Sequence, residues 1–475
     1  MLDTLLASQA LAGGAFDRIA AQGLVAESMT PAAVSSTPVS HATIFSGAWP
    51  ARHGITGVSL PGETLTGELR SGFDVATSVD RLWTVAQRAG KRVVCIVAPG
   101  AQATAPADTC TETLPFAAVS RPPASDAPMS PDGFAARIRQ ALGPSPGEPD
   151  ARRVTRAEMS DEEYITAAER FAEYLGAVVR QQLARSDWDL LITYMPVIDN
   201  AAHRYLLSDP RQAEYDEEGG ARRQRFAGYI QRAWKEVDAI VGGWLSAAPE
   251  TTFVITSDHG MIPTHSTVLL SNLLAAAGLR VGGNDAQVRV LHSGATAQIY
   301  VNASSRFHNG TVPDAQIASV TRKIVNVCRS VIDPATGKAV FSAVVTRDGF
   351  RRLNLQHAAA GDVYVAASPG WGVSSRFDPA VPTFVRNTLS PDARERLSRS
   401  PAEERFLEAG ALNELSLGVH GHPPGDPRTQ ALFMTVGPGV PHRHVGTVEM
   451  TDVAPTVLAL LGISRPSSMT GRRIW

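Results

Sequence analysis

The chain has 475 residues, 44% hydrophobic and 19% charged, with a formal net charge of -2 and a pI near 6.6. That length exceeds what one compact core ordinarily serves, so one large domain with an insertion, or two lobes, is expected. The near-neutral balance lacks the basic excess that neutralises a phosphate backbone, which argues against sequence-independent nucleic-acid binding. The longest apolar runs, at residues 92–99 and 453–463, are too short to span a bilayer.

Cys95, Cys110 and Cys328 are odd in number and form no C-x-x-C pair. They read as buried or incidental thiols rather than as a disulfide framework or a thiolate zinc site. The first residues lack the basic start, apolar middle and small-residue cleavage site of a signal peptide. Neither compartment nor oligomeric state follows from the sequence. The Ala- and Arg-rich composition fits a bacterium of high genomic GC.

In chain order, the first informative stretch is T-P-V-S-H-A-T-I-F-S-G-A-W-P-A-R-H-G-I at residues 37–55. Its surroundings offer hydroxyls at Ser35, Ser36, Thr37, Ser40 and Thr43, and spacing alone does not choose a nucleophile among them. Residues 80–90 carry apolar spacing of three and four and close on a Gly, which predicts a helix. Residues 92–97 follow as a buried strand. The proline-rich segment 121–150 reads as an irregular surface excursion. Residues 161–185 form a second helix, with Ser160 as cap and Glu163 returning the bond, and a strand at 189–194 leads into D-N-A-A-H. A third helix at 223–248 precedes a strand at 252–256 that ends in S-D-H-G-M.

The interval 269–417 contains β-like pieces at 297–301, 343–346 and 362–366. It is read as an inserted α+β lobe beside the active site, leaving 1–268 and 418–475 as the core domain. V-H-G-H and a strand at 431–436 complete the pattern. Strand-helix alternation of this kind predicts an α/β fold with a mostly parallel sheet covered by helices on both faces. Ligands in such sheets bind beyond the carboxyl ends of the strands, where Asp199, Asp258 and His259 fall.

Asp199 and His203 are four apart, so on a helix they project from one face, and a carboxylate with an imidazole suits Zn²⁺. Read alone, the motif is better taken as a polar pair with Asp199 capping the helix. Asp258 and His259 stand where an apolar strand gives way to a turn, a costly place for them unless they are paired or metal-bound. Gly260 permits close backbone passage there. For a further ligand, His420 and His422 are equal candidates by spacing.

Taken together these motifs resemble the type I phosphodiesterase/nucleotide pyrophosphatase family of the alkaline phosphatase superfamily. In that family the nucleophile motif runs Thr-x-Pro-Asn-His ahead of an apolar stretch and His-Gly-Ile. Here Thr37 stands four before His41, and His53-Gly54-Ile55 follows. The family's late His-Gly-Tyr-Asp motif aligns with His420-Gly421 ahead of the strand ending in Gly437-Pro438. L-W-T-V-A-Q-R-A-G-K-R-V, A-G-D-V-Y-V-A-A-S-P-G-W-G and T-D-V-A-P-T-V-L-A-L-L-G-I extend the likeness over nearly the whole chain.

The resemblance implies an alkaline-phosphatase-like sheet and a hydrolase of phosphodiester bonds acting on a small-molecule phosphoester. It implies Thr37 as nucleophile, ionised by coordination and passing through a phosphothreonine, and two Zn²⁺, other divalent metals being alternatives. Asp199, His203 and His420 would hold one ion, and Asp258, His259 and the Thr37 oxygen the other, with His422 in reserve. Alternative readings are a phosphonate hydrolase or phosphomonoesterase on the same metal core, or a catalytically silent binding protein lacking one ligand. The formylglycine motif of a sulfatase is absent.

Two positions depart from the family pattern. Ser40 replaces the Asn that binds the phosphoryl oxygens, and it offers one donor with shorter reach. The family's opening strand ending in Asp-Gly has no counterpart after Met1, so Asp3 is the nearby acid left to serve the second metal. An upstream strand ending in Asp-Gly is the expectation.

Overall fold

The computed structural model describes residues 10–101, 109–120, 133–155, 157–388 and 416–475. Asp3 lies outside them. Helix α1 (Ala15–Gln22) leads into strand β1 (Leu24–Ala26), and helix α2 (Thr37–Ser46) carries the hydroxyl-rich motif. Helix α3 (Leu82–Arg88), strand β2 (Val93–Ile96), strand β3 (Glu112–Leu114), helix α4 (Asp161–Leu183) and strand β4 (Leu190–Thr193) follow. Helix α5 (Val197–Tyr205), helix α6 (Ala221–Ala247) and strand β5 (Phe253–Thr256) complete the first part of the core.

A separate antiparallel sheet comes next. Strand β6 (Val288–Ser293), strand β7 (Thr296–Val301), helix α7 (Asp314–Ser330), strand β8 (Phe341–Thr346) and strand β9 (Val363–Ala367) make a four-stranded antiparallel sheet in the order β6-β7-β9-β8. The chain then returns through strand β10 (Phe433–Val436), strand β11 (Arg443–Val445) and helix α8 (Val453–Leu460). The predicted strands at 92–97, 189–194, 252–256 and 431–436 are all present, each trimmed by a residue or two. The capping box of α4 is formed as expected, with the Ser160 hydroxyl accepting from Glu163 N–H and the Glu163 carboxylate accepting from Ser160 N–H at 2.7 Å.

Three expectations need correction. The core strands fall into two separate sheets, one parallel and one mixed, rather than one mostly parallel sheet. Strands β3-β2-β4 form a parallel set, whereas β10 runs antiparallel to both β1 and β5. The cause is topological: β10 leaves the loop carrying His420 at the site end of the sheet, so it must run away from the site. The Pro-rich excursion is also less irregular than expected. Residues 121–132 lie outside the described residues, but Phe134–Leu142 is a helix that buries Phe134 and Ile138. Their spacing of four makes one apolar face, and the prolines flank it without interrupting it.

Cys95 and Cys110 form a disulfide, and only Cys328 is a free thiol among the described residues. Cys110 lies just ahead of β3, the neighbour of the strand β2 that carries Cys95, and the two Cα atoms stand 5.9 Å apart, within bonding reach. The sequence separation of 15 residues gave no motif to read.

The period-two alternation of β2 shows how the sheet is covered. Val94 and Ile96 pack with α1, α4 and α6, while Val93 and Cys95 pack with α2, α3 and α8. Helices therefore cover both faces, and Asp199 and Asp258 follow the carboxyl ends of β4 and β5, one in each of the two core sheets.

Candidate active site

Asp199 and His203 lie on α5, with His203 Nε2 3.5 Å from Asp199 Oδ2. Asp258 and His259 occupy the turn after β5. That turn requires Gly260, since a Cβ there would stand 2.0 Å from the Arg428 carbonyl oxygen. His420 comes from the loop ahead of β10, where Gly421 at φ +100 admits the backbone of Ser293. One ligating atom each from Asp199, His259 and His420 lies within 4.8 Å of the other two. The His203 and His420 rings are 5.0 Å apart, and His259 stacks on His420 at 3.7 Å.

Hydrogen bonds fix the imidazole tautomers. His203 Nδ1 lies 2.8 Å from the Gly418 carbonyl, and His420 Nδ1 lies 2.9 Å from that of Ser35. A carbonyl only accepts, so each Nδ1 carries the proton and each Nε2 keeps a lone pair. His259 makes the same kind of contact to the Gly260 carbonyl at 3.2 Å. Outward-bonded Nδ1 with free Nε2 is how metal-ligating histidines are held.

The groups left over fit a cation. Asp199 Oδ1, Asp258 Oδ2 and His259 Nε2 are buried without a hydrogen-bond partner. Asp258 Oδ2 is nevertheless only 3.1 Å from His259 Nε2 and 3.4 Å from His41 Nδ1. Unpartnered buried charge at such closeness is costly unless an ion binds it, and a carboxylate-imidazole set suits zinc-like ions.

The metal-free electrostatics are correspondingly strained. Burial alone would depress His259, but the adjacent Asp258 carboxylate lifts it to about 9. Burial would raise Asp258, yet His259 and His41 hold it well below the usual carboxylate range. Burial, then the His259 and His203 charges, drives His420 far below an ordinary histidine.

Thr37 opens α2, with Ser36 as N-cap and Pro38 at the second position. Ser36 makes no side-chain cap, so N–H groups of the first turn remain available to an anion. The loop is tied to the ligand cluster twice, through Ser35 O to His420 and through Thr37 O, which accepts from His41 Nδ1 at 2.9 Å. The Ser40 hydroxyl is fully buried with no protein partner. Below it, Ile55 N–H donates to His53 Nδ1 at 3.1 Å, so His53 Nε2 donates to Thr43 Oγ1 at 3.0 Å. Burial and the Arg81 charge lower the His53 pKa to about 3, so it is a neutral brace for α2. His422 is buried near Asp426 and Arg428 and is not one of the Asp199, His259 and His420 group, and burial lowers its pKa to about 4.

Sequence reasoning used His41 only to align a motif, although its position four after Thr37 on a helix placed it on the nucleophile's face. It also missed Tyr194, at the end of β4. The Tyr194 ring stands edge-on to His41 at 5.1 Å, and burial with Asp258 and Asp199 raises its pKa far above 10.

Residues 9–392 match the profile of the type I phosphodiesterase/nucleotide pyrophosphatase family. The chain belongs to that family. No curated protein sequence matches significantly. Among solved structures, human ectonucleotide pyrophosphatase/phosphodiesterase 5 is similar at 14% identity and a TM-score of 0.55, covering 95% of this chain and 90% of that one. The murine protein gives 13%, 0.57, 96% and 92%. Phosphonoacetate hydrolase from Sinorhizobium meliloti gives 17%, 0.52, 94% and 87%. These likenesses establish an alkaline-phosphatase-like fold, and the family is one of metal-dependent phosphoester hydrolases.

Proposed function

We propose that this family member is a two-zinc phosphodiesterase acting through a phosphothreonine at Thr37. Asp199, His203 and His420 would hold one ion, and Asp258 and His259, with the Thr37 oxygen, the other. The observation that carries the reading is the set of unpartnered Asp199, Asp258 and His259 atoms facing Nε2 lone pairs, with Thr37 tied to it through His41. Bound ions would supply charge neutralisation to the attacking and leaving oxygens of an in-line displacement.

The chain's own part is positioning. Thr37 Oγ attacks phosphorus and forms an O–P bond while the ester bond to the leaving group breaks. Water then cleaves the phosphothreonine, releasing the phosphomonoester and restoring the hydroxyl. The α2 N-terminus offers N–H groups to the equatorial oxygens, and Ser40 supplies a donor where the family has Asn. Tyr194, kept neutral, excludes water beside His41.

We assign the interval 269–417, of which 389–415 lie outside the described residues, as a lobe bordering the site, an assignment supported by Ala295 N–H donating to the His420 carbonyl at 2.9 Å. Among the described residues no helix is long and apolar enough to cross a membrane.

A substrate panel tests the reading: bis-p-nitrophenyl phosphate, p-nitrophenyl phosphate and phosphonoacetate, each with added zinc. The expected order of kcat/KM places the diester first. Phosphonoacetate first would make the protein a phosphonate hydrolase, and the monoester first a phosphatase. No turnover of any, with less than one ion bound, would make it a silent binding protein.

A further inference from the structure

The proposed metal ligands come from three separate stretches of chain: α5, the turn after β5 and the loop ahead of β10. The direct link between the last two is slight. It is an antiparallel ladder two residues long, with Gly418 opposite Pro263 and Val419 opposite Ile262, and Pro263 brings no N–H to it. Thr264 N–H adds one bond, to the Leu417 carbonyl at 2.7 Å. On the other side, α5 ends just before Leu206, where carbonyls lack helical partners.

The side chain of Gln212 joins all three stretches. It is 3% exposed, and its Nε2 donates to Leu206 O at 2.9 Å, to Leu417 O at 2.8 Å and to Thr264 O at 3.3 Å. Its Oε1 accepts from the Ser208 and Asp209 N–H groups at 2.8 and 2.9 Å. Carbonyls only accept and backbone N–H groups only donate, so the orientation of the amide is fixed. Its two N–H bonds serve three carbonyls, so one is shared. The turn at 209–211 aims the side chain, with Arg211 N–H donating to Asp209 Oδ1 and Gln212 N–H to the Asp209 carbonyl, both at 2.9 Å.

Each carbonyl is close in sequence to a ligand. Leu206 lies three residues after His203, Leu417 three before His420, and Thr264 five after His259. Leu417 also precedes Gly418, whose carbonyl fixes the His203 ring. There is little slack at that point, since a Cβ on Gly418 would stand 2.5 Å from Ala202 O on α5.

We propose that Gln212 is a positioning residue for the metal centre, an inference that rests on the two-metal reading above: by gathering three carbonyls at one amide it sets the spacing of the segments that present His203, His259 and His420. Gln298 supplies the contrast. It is 4% exposed and equally paired, to Thr56 O and Gly361 N–H, but the segments it joins carry no ligand. Loss of either amide leaves buried backbone groups unpaired and lowers stability. Loss of Gln212 alone also loosens the ligand set.

The test compares the full chain with Gln212→Met and Gln298→Met, each close in size to Gln and without the amide. Metal-stripped protein is titrated with Co²⁺, whose visible absorption when bound reports its coordination. Gln212→Met is expected to bind Co²⁺ at least about 10-fold more weakly and with a changed spectrum. Gln298→Met should keep the original affinity and spectrum despite a lowered melting midpoint. Unchanged affinity and spectrum in folded Gln212→Met, or equal losses in both variants, would overturn the proposal while leaving the metal centre standing. An unsubstituted chain that takes up no Co²⁺ would instead overturn the two-metal reading, and the role of Gln212 with it. A measurement without substitution covers a Gln212→Met protein that does not fold, because coupling between the amide and the ion is reciprocal. Exchange of the Ser208, Asp209 and Thr264 amides should slow on Co²⁺ binding by at least about 10-fold relative to Gly361. Equal slowing at all four amides, or none, contradicts positioning by Gln212.

Discussion

The site end of the core and the antiparallel sheet β6-β7-β9-β8 resolve burial in opposite ways. Apolar side chains fill the antiparallel sheet, with Ile299, Val363 and Val365 wholly inaccessible. Its buried polar group Gln298 is paired on both sides, donating to Thr56 O at 2.5 Å and accepting from Gly361 N–H at 2.7 Å. At the site, by contrast, two carboxylates and several imidazoles are crowded together with atoms unpartnered. The first region stabilises the fold without needing a ligand. On the proposed reading the second is destabilising until a cation is bound, and that difference is what marks it as a candidate functional site.

Substitutions should therefore separate activity from stability. The largest effect is expected from Thr37→Ala, a loss of turnover of at least about 10³-fold with an unchanged melting midpoint. Thr37→Ser should keep a measurable part of the rate. Assays on bis-p-nitrophenyl phosphate check this, and an active Thr37→Ala with a dead Ser36→Ala would move the nucleophile to Ser36.

The converse experiment is Ile299→Ala in β7. Removing this buried side chain should cost about 2–5 kcal/mol of stability, measured by denaturant unfolding, while metal content per folded chain stays the same. A loss of bound metal at full folding would show that the two regions are coupled.

Much of this contrast was legible in the sequence. Apolar runs ending in Asp199 and in Asp258-His259 located the carboxyl ends of β4 and β5, because a strand buried on both faces must be apolar until it reaches the site. Ser160 and Glu163 announced the start of α4 through local hydrogen bonding alone. What escaped depended on distant contacts. The Cys95–Cys110 bond follows from the placement of Cys110 just ahead of the strand beside β2, the direction of β10 from where its loop begins, and the neighbourhood of His41 and Tyr194 from the turn that brings Asp258 to His41.

A smaller effect concerns pH. With the His259 pKa at about 9, above its ordinary 6.5, its interaction with Asp258 stabilises the metal-free protein fully below pH 6.5 and is lost as pH rises through 9. The Asp258 carboxylate, held below 3.8, contributes above pH 3.8 and fades as pH falls beneath it. The metal-free protein should thus lose stability between about pH 6.5 and 9. The metal-loaded protein, whose ligating His259 is already neutral, should not. Melting midpoints across this range with and without zinc check the sign. The smallest change is expected for Ser160→Ala, about 1 kcal/mol from the lost cap of α4, with metal content and turnover per folded molecule unaffected.

The central claim is that the Asp199, His203, Asp258, His259 and His420 cluster is a metal centre that activity requires. The most direct measurement is metal content and diester hydrolysis after exhaustive dialysis against a strong chelator, followed by stepwise return of Zn²⁺. The account predicts an inactive, less stable protein that recovers both activity and melting midpoint as two ions bind per chain, with Mg²⁺ restoring less because it favours all-oxygen shells. Full activity in a protein shown to hold no metal would contradict it.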